Sequence, residues 1–366
     1  MKVLLVSDIR SSHTVKWANT LSQRGVDVRV FGLFLNSNSE YLPNIKIDSI
    51  DLPNSVNRKK DGNIEKLIYL YALPKLKKII SNYQPDIIHA HYVSSYGLLA
   101  ALTNFHPFVA SVWGNDVFDF PKISFVHKKL FKFVLKRADI ILSTSHIMAA
   151  ETSNYTNKVI EVLPFGIDIK EFIPISKKAD NHIAIGAIKS LENHYGLDTL
   201  IEAFSIVKSK SGMSKNITLS LIGGGSLEDK LKKLVQSFRL EDSVSITGQV
   251  PYSEVLSYHQ GFDIEVYLSN KESFGVSILE AMACGNAVIV SDIGGLPELV
   301  ENLKTGFIVA AKNPYKTAEI ILQLIDDPNL RIRIGRNARE KVVSDYNWDA
   351  NVKRMIAIYN NLLKRE

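Results

Sequence analysis

The sequence predicts an α/β protein made of two doubly wound, Rossmann-like domains facing a cleft. Three observations carry this expectation. Short apolar runs alternate with amphipathic segments along most of the chain, the signature of parallel sheets with helices on both faces. The length, 366 residues, suits two domains of ordinary size. The alternation breaks once, over residues 163–181, where Pro164, Gly166 and Pro174 precede a polar run that reads as a link.

The elements follow in order. "KVLLV" reads as a buried strand, "HTVKWANTLSQRG" as a helix ending at Gly25, and "VDVRVF" as the next strand. "PDIIHAH", "FVASVW", "ADIILST" and "VIEVLPFG" continue the series. After the link come "HIAIGAI", "ITLSLIG", "VSIT", "DIEVYL", "AVIVS" and "GFIVA". Their partner helices include "GLDTLIEAFSIVKSK" and "SLEDKLKKLVQSF", and a long helical tract over 329–364 bends near "DYNWD". The first domain is expected over 1–168 and the second over 175–347. A C-terminal helix at about 348–366 is expected to pack back on the first. Ligands of such sheets sit beyond the carboxyl ends of the strands, so the loops there are where chemistry is sought.

Composition narrows the class. The chain is 46% hydrophobic and 22% charged, without a run of apolar residues long enough to span a bilayer. The apolar run in "MKVLLVSDIR" is too short for a signal peptide and is followed at once by Asp8 and Arg10. Cys284 is the sole cysteine, which excludes an internal disulfide framework and suits a reducing, cytoplasmic compartment. Residues 1–170 hold 21 Lys+Arg against 14 Asp+Glu, and the remainder 23 against 24. The basic excess of the first half suggests an anionic partner, with a plain solubility surplus as the alternative. It concentrates in "KISFVHKKLFKFVLKRAD" (122–139), where Lys128, Lys129, Lys132, Lys136 and Arg137 interleave with aromatic and aliphatic residues. Such a helix suits an anionic membrane surface, or it buries its apolar stripe and leaves its lysines in water. No nucleic-acid motif accompanies the charge, so no nucleic acid is expected.

The chemistry centres on "ESFGVSILE". "DIEVYLSN" ends a strand, "KESF" is a loop, and "GVSILEAMACG" is a helix closing at Gly285. The first helical amides, at Gly275, Val276 and Ser277, have no intrahelical acceptor and face forward with the positive dipole end, which suits a phosphate. Gly275 lets a ligand approach the backbone. Glu272 lies just ahead of the helix and Glu280 about one and a half turns into it. Carboxylates accept from vicinal hydroxyls, so the two acids suit polyol parts on either side of a phosphate, as in a nucleotide-sugar. Two solvated charges remain the alternative.

"ESFGVSILEAMACGNAVIVSDIGGLPELV" followed by "TGFIV" closely resembles the retaining glycosyltransferases of family four, the group 1 enzymes of GT-B fold, with their E-x-F-G-x4-E-A-M-A-x-G and G-G-x-P-E pattern. "PDIIHAHY", "VWGND", "LPFGIDIKEF", "YGLDTLIEAF" and "LIGGGSLEDKLKKL" fall in the family's order, so the resemblance covers nearly the whole chain. It implies transfer of a sugar from a UDP- or GDP-sugar to a hydroxyl of a glycan or lipid-linked acceptor. The setting implied is cell-surface polysaccharide or lipid-linked glycan synthesis; the basic segment 122–139 adds the expectation of a cytoplasmic enzyme that can sit peripherally at the inner membrane face. It further implies that Glu272 holds donor-sugar hydroxyls, Glu280 the ribose, and the backbone of Ser273, Phe274, Gly275 and Val276 the diphosphate, with Glu298 a weaker candidate.

Several positions depart from the family. The loop after the first strand of the second domain, "GAIKSLENHYG", has Lys189 where an Arg is usual and Tyr195 where a Lys is usual. A cation is wanted there because the leaving phosphate gains charge as the glycosidic bond breaks. Gly224, in "GGG", would let the nucleotide approach the backbone. Trp113 stands where many relatives have His and cannot act as a base; it suits a sugar-stacking ring or a core tryptophan equally. Asp116 joins Glu272 and Lys189 as a candidate catalytic residue, on the acceptor or sugar side. Ser12 and His13 are candidate acceptor contacts or a helix cap region. His91 either reaches the cleft or is a satisfied buried histidine. His89 and His91 are not read as a metal pair, being held apart by the pleat with no carboxylate near. No Asp-x-Asp and no His/Cys cluster occurs, so no metal and no cofactor are expected. Competing readings are a same-fold nucleotide-sugar epimerase, a pyridoxal-dependent phosphorylase, and a non-catalytic nucleotide-sugar or glycan-binding protein.

Overall fold

The computed structural model describes residues 1–35, 40–57, 62–176, 182–211 and 216–364. The chain forms two units, Met1–Pro164 with Ala350–Glu366, and Phe165–Asp349. Of the link expected over 163–181, residues 177–181 lie outside the described residues.

The first unit holds a seven-stranded sheet: β1 (Lys2–Val6), β2 (Asp27–Gly32), β3 (Lys46–Ser49), β4 (Ile87–His91), β5 (Phe108–Val112), β6 (Ile140–Ser143) and β7 (Ile160–Val162). The order is β3-β2-β1-β4-β5-β6-β7 and every neighbour is parallel. Helices cover both faces, so β4 and β5 are buried at every residue, their polar members His89, His91 and Ser111 included. β3, "KIDS", has no apolar run because it is a half-exposed edge strand, and periodicity did not reveal it.

The second unit holds β8 (His182–Ile188), β9 (Asn216–Ile222), β10 (Val244–Gly248), β11 (Ile264–Tyr267), β12 (Ala287–Ser291) and β13 (Phe307–Val309), in the order β10-β9-β8-β11-β12-β13, again all parallel. Each sheet reverses its winding once, between β1 and β4 and between β8 and β11. These are the topological switch points where doubly wound sheets open a crevice.

The helical tract splits into Pro328–Asp345 and Trp348–Leu363. The break is a hydrogen-bond exchange. The Ile167 amide donates to the Tyr346 carbonyl at 2.8 Å, and the Trp348 amide donates to the Ile167 carbonyl at 3.0 Å. Further along, Tyr359 is fully buried within the first unit, its hydroxyl 2.6 Å from His89 Nδ1.

Candidate active site

Lys189 is the first residue after β8, and Glu272 lies on the loop after β11. The two loops flank the second unit's switch point, and there Lys189 Nζ meets Glu272 Oε2 at 2.6 Å. Each side chain keeps only 12% of its surface exposed, so the pair is shielded from bulk water. Ser269 Oγ donates to the same carboxylate oxygen at 3.3 Å. Tyr195 lies with its ring 4.7 Å from the Lys189 ammonium. The aromatic face thus attracts the charge from the position where the family carries a second cation. The Lys189 amide donates to the Ile222 carbonyl and the Leu191 amide to the Gly224 carbonyl, both at 3.0 Å, which ties this loop to the glycine run after β9. The Glu272 loop is fixed from its other side by Gly294, whose φ of +57° and backbone approach leave no room for a side chain; an added Cβ would fall 1.8 Å from the Glu272 carbonyl oxygen.

The helix Val276–Ala283 starts from Gly275 at φ +105°. Its forward amides and the dipole they end lie directly after the Glu272 loop. Phe274 is buried, edge-on to Phe165 and Tyr346 with centroids at 5.8 and 6.1 Å, and so pins the entry to the helix. Ser273, half-buried, and Val276 sit on either side of that anchor. Ser277 Oγ is buried without a hydrogen-bond partner among the described residues.

Glu280 is 5% exposed and forms the edge of a buried polar network. Tyr252 donates its hydroxyl to Oε1 at 2.9 Å, and His259 Nε2 lies 3.5 Å from Oε2. The other ring nitrogen of His259 is 2.9 Å from Glu265 Oε1, and Tyr267 donates to Glu265 Oε2 at 2.6 Å. Asn286 donates to Glu265 at 2.7 Å and to the His259 carbonyl at 2.6 Å. Burial alone would pull the His259 imidazole down; Glu265 and Glu280 outweigh it and raise the ring to about 9. Burial pushes the Tyr252 hydroxyl up, with Glu280 adding to it. None of His259, Glu265, Tyr267 or Asn286 was singled out from sequence. The available signal was Glu265 itself, a carboxylate inside an otherwise apolar strand, which demands a partner.

In the first unit, His91, Trp113 and His13 come together near the β1/β4 switch point. His91 stacks on Trp113 at 4.2 Å between centroids, and His13 meets Trp113 edge-on at 6.1 Å. His91 is buried with Nδ1 3.1 Å from Ser7 Oγ, and burial, with His89 and His13, drives its pKa well below the usual imidazole range. The expectation that the pleat separates His89 from His91 is corrected: residues two apart on a strand share a face, and the rings meet at 4.5 Å. His89 is used up between Tyr359 and Ser111 Oγ, the latter at 2.7 Å. Asp116 is fully buried and accepts from the backbone amides of Val93, Gly114 and Trp113 at 2.8, 2.8 and 3.2 Å. Its carboxylate therefore shapes the "VWGND" loop. Ser12 is exposed at the first position of the helix Ser12–Gln23.

The basic segment forms the helix Phe125–Arg137, capped by Ser124, and buries Phe131, Val134 and Leu135. Phe125, Val126 and Phe133 stay exposed beside Lys128, Lys129 and Lys132. No described helix is long and apolar enough to cross a membrane.

The "Glycosyl transferases group 1" family model matches residues 168–341 and "Glycosyl transferase 4-like" matches residues 2–145. The chain is 26% identical over 316 residues to the N-acetyl-alpha-D-glucosaminyl L-malate synthase of Bacillus anthracis, covering 79% of this chain and 78% of the relative. It is 26% identical over 315 residues to the N,N'-diacetylbacillosaminyl-diphospho-undecaprenol alpha-1,3-N-acetylgalactosaminyltransferase of Campylobacter jejuni, covering 79% and 80%. Among solved structures, sucrose-phosphate synthase from Thermosynechococcus elongatus superposes with a TM-score of 0.80 at 21% identity, over 100% of both chains. Anabaena Alr3699/HepE in complex with UDP superposes with a TM-score of 0.81 at 18% identity, over 99% of this chain and 100% of that one. The two family models divide the chain much as its two sheets do, and the chain belongs to the family-four, group 1 glycosyltransferases of GT-B fold.

Proposed function

We propose that the protein is a retaining, metal-independent glycosyltransferase that moves a sugar from a nucleoside diphosphate sugar to an acceptor hydroxyl. The single observation that carries this reading is the Lys189–Glu272 pair at the second switch point, 2.6 Å apart and next to the Gly275 helix terminus. In this reading the diphosphate lies on the forward amides of that helix and takes the Lys189 ammonium as its counter-charge. Glu272, on exchanging Lys189 for ligand, accepts from sugar hydroxyls. Glu280 accepts from the ribose, and the bond from Tyr252 fixes its orientation. The C1–O bond to phosphate breaks and a C1–O bond to the acceptor forms on the same face, while the acceptor proton passes to the departing diphosphate. Lys189 and the helix dipole offset the charge that develops there. The HepE complexes with UDP and UDP-glucose support a UDP-sugar.

Trp113, half-buried and backed by the buried, neutral His91, provides a flat acceptor-side surface, and Asp116 acts through the loop it organises. The acceptor is a glycan or lipid-linked glycan, a reading supported by the diphospho-undecaprenol named for the Campylobacter relative. The exposed lysines and aromatic residues of Phe125–Arg137 rest on the anionic inner face of a membrane.

Transfer and donor hydrolysis are measured for wild type, Glu272→Ala and Glu280→Ala with UDP-, GDP- and ADP-sugars, with and without chelator. Both variants are expected to lose at least ~100-fold in kcat/KM with the preferred donor. Unchanged turnover in both would sink the assignment, and loss of wild-type activity in chelator would sink metal independence.

A further inference from the structure

A pocket of about 380 Å³ opens in the first unit between segment 62–70, the turn after β4 and the first half of the helix Phe125–Arg137. Leu67, Leu70, Leu98, Leu99, Val126 and Leu130 line it. The size suits a small molecule or one lipid chain. Of the polar residues in the lining, Asn63 accepts from the Glu65 amide at 2.9 Å, and His127 is held between Ser124 Oγ at 2.7 Å and the Gly62 carbonyl at 3.0 Å. Leu67 and Val126 are 58% and 61% exposed, so apolar surface continues out of the pocket. Phe125 and Ile123, 69% and 47% exposed, extend it along the basic segment. A soluble protein gains nothing by presenting such a run to water. Ser94 also lines the pocket, and its Oγ is buried without a hydrogen-bond partner among the described residues. Ser94 lies three residues past the carboxyl end of β4, on the side of the sheet where doubly wound folds bind ligands. Around the apolar run stand cations: Lys66 in the lining, and the exposed Lys128, Lys129 and Lys132 on the helix. Apolar walls, one unsatisfied hydroxyl and a cationic surround match a hydrocarbon chain that carries an anionic, oxygen-rich head.

We propose that this pocket takes one hydrocarbon chain of a phosphate-headed lipid drawn from an anionic bilayer. Ser94 Oγ donates to an oxygen near the head, and the lysines meet the phosphate. The proposal rests on the membrane-surface reading above and adds a chain-binding site to it. Each methylene buried in such a site tightens binding by about fourfold.

The test uses the full chain and two probes, monomeric dodecyl phosphate and butyl phosphate, together with vesicles of pure phosphatidylcholine or of phosphatidylcholine with phosphatidylglycerol. Leu67→Asn and Val126→Asn alter the apolar wall without altering charge, and both positions are exposed enough that the fold persists. Thermal unfolding checks this. Dodecyl phosphate is expected to bind wild type at least ~100-fold more tightly than butyl phosphate, and to weaken at least ~10-fold in each variant. Equal binding of the two phosphates overturns the chain site, as does unchanged binding in both variants. Anionic-vesicle binding that survives in both variants also overturns the pocket while leaving the basic surface standing. Wild type that binds dodecyl phosphate but not anionic vesicles overturns the bilayer source and the membrane-surface reading together.

Discussion

Glu272 and Lys189 lie 83 positions apart in the chain and end 2.6 Å apart in space. Each resolves the other's problem: a shielded carboxylate without a cation would be costly, and so would a shielded ammonium. Lys189→Met is expected to lower kcat by ~10²–10³-fold, because it removes counter-charge from the leaving phosphate. A double-mutant cycle with Glu272→Gln is expected to be non-additive, since the groups touch; additive losses would show that the pair does not act as a unit. His259 presents the same logic deeper in the unit. Its folded pKa of about 9 lies above the unfolded value, so its contribution is complete below about 6.5 and is lost as pH rises through about 9, on the order of 3 kcal/mol in all. Urea unfolding between pH 6 and 10 is expected to show this loss in wild type, and a flatter profile in His259→Gln. Identical slopes would rule the linkage out. From sequence, Glu272 and Glu280 were legible because a dense motif surrounds them. The Lys189–Glu272 contact and the His259 network were not, because pairing across loops leaves no periodic trace.

The strand–loop–helix element from β11 to Ala283 does its work through one backbone torsion. At φ +105° Gly275 turns the chain so that the helix amides face the Glu272 loop, and a Cβ there would stand 2.9 Å from Ile278 Cδ1 and 3.1 Å from Leu296 Cδ2. Gly275→Val is expected to cost about 1–3 kcal/mol of stability and to raise the donor KM at least ~10-fold. Melting curves and initial rates read the two effects separately, and unaltered KM would mean that the helix terminus does not hold the donor. Elements of this kind were readable in advance where an apolar run is bounded by Gly or Pro. β3 was missed because its edge position removes the apolar run, while β4 and β5 are covered on both faces and buried at every residue.

The two units carry histidines of opposite linkage. In the first, burial lowers His89 to about 3, and His91 also lies well below the ordinary value. Their folded pKa values lie below the unfolded one, so the unfolded chain binds more protons, and stability is lost as pH falls below about 6.5 by roughly 1.4 kcal/mol per pH unit for each ring. Denaturant unfolding from pH 7 to 4 is expected to show that slope, reduced in His89→Gln; equal slopes would exclude His89 as the source. The residues His89 depends on, Tyr359 and Ser111, come from the far end of the chain and from the neighbouring strand. The two doubly wound sheets, the loop and the helix that carry Glu272 and Glu280, and the family to which the motifs belong were all readable from the amino-acid sequence. Those are properties of local pattern: strand and helix periods, turn residues, and a motif within thirty positions of chain. Which side chains share a site followed only from the packing of the folded chain. That packing set Lys189 on Glu272, His259 between Glu265 and Glu280, Asp116 on three backbone amides, and the two rings of "HAH" on one face. The reason is physical. Burial and charge pairing depend on distance in space, and a parallel sheet sets that distance through crossovers whose length the local pattern does not record.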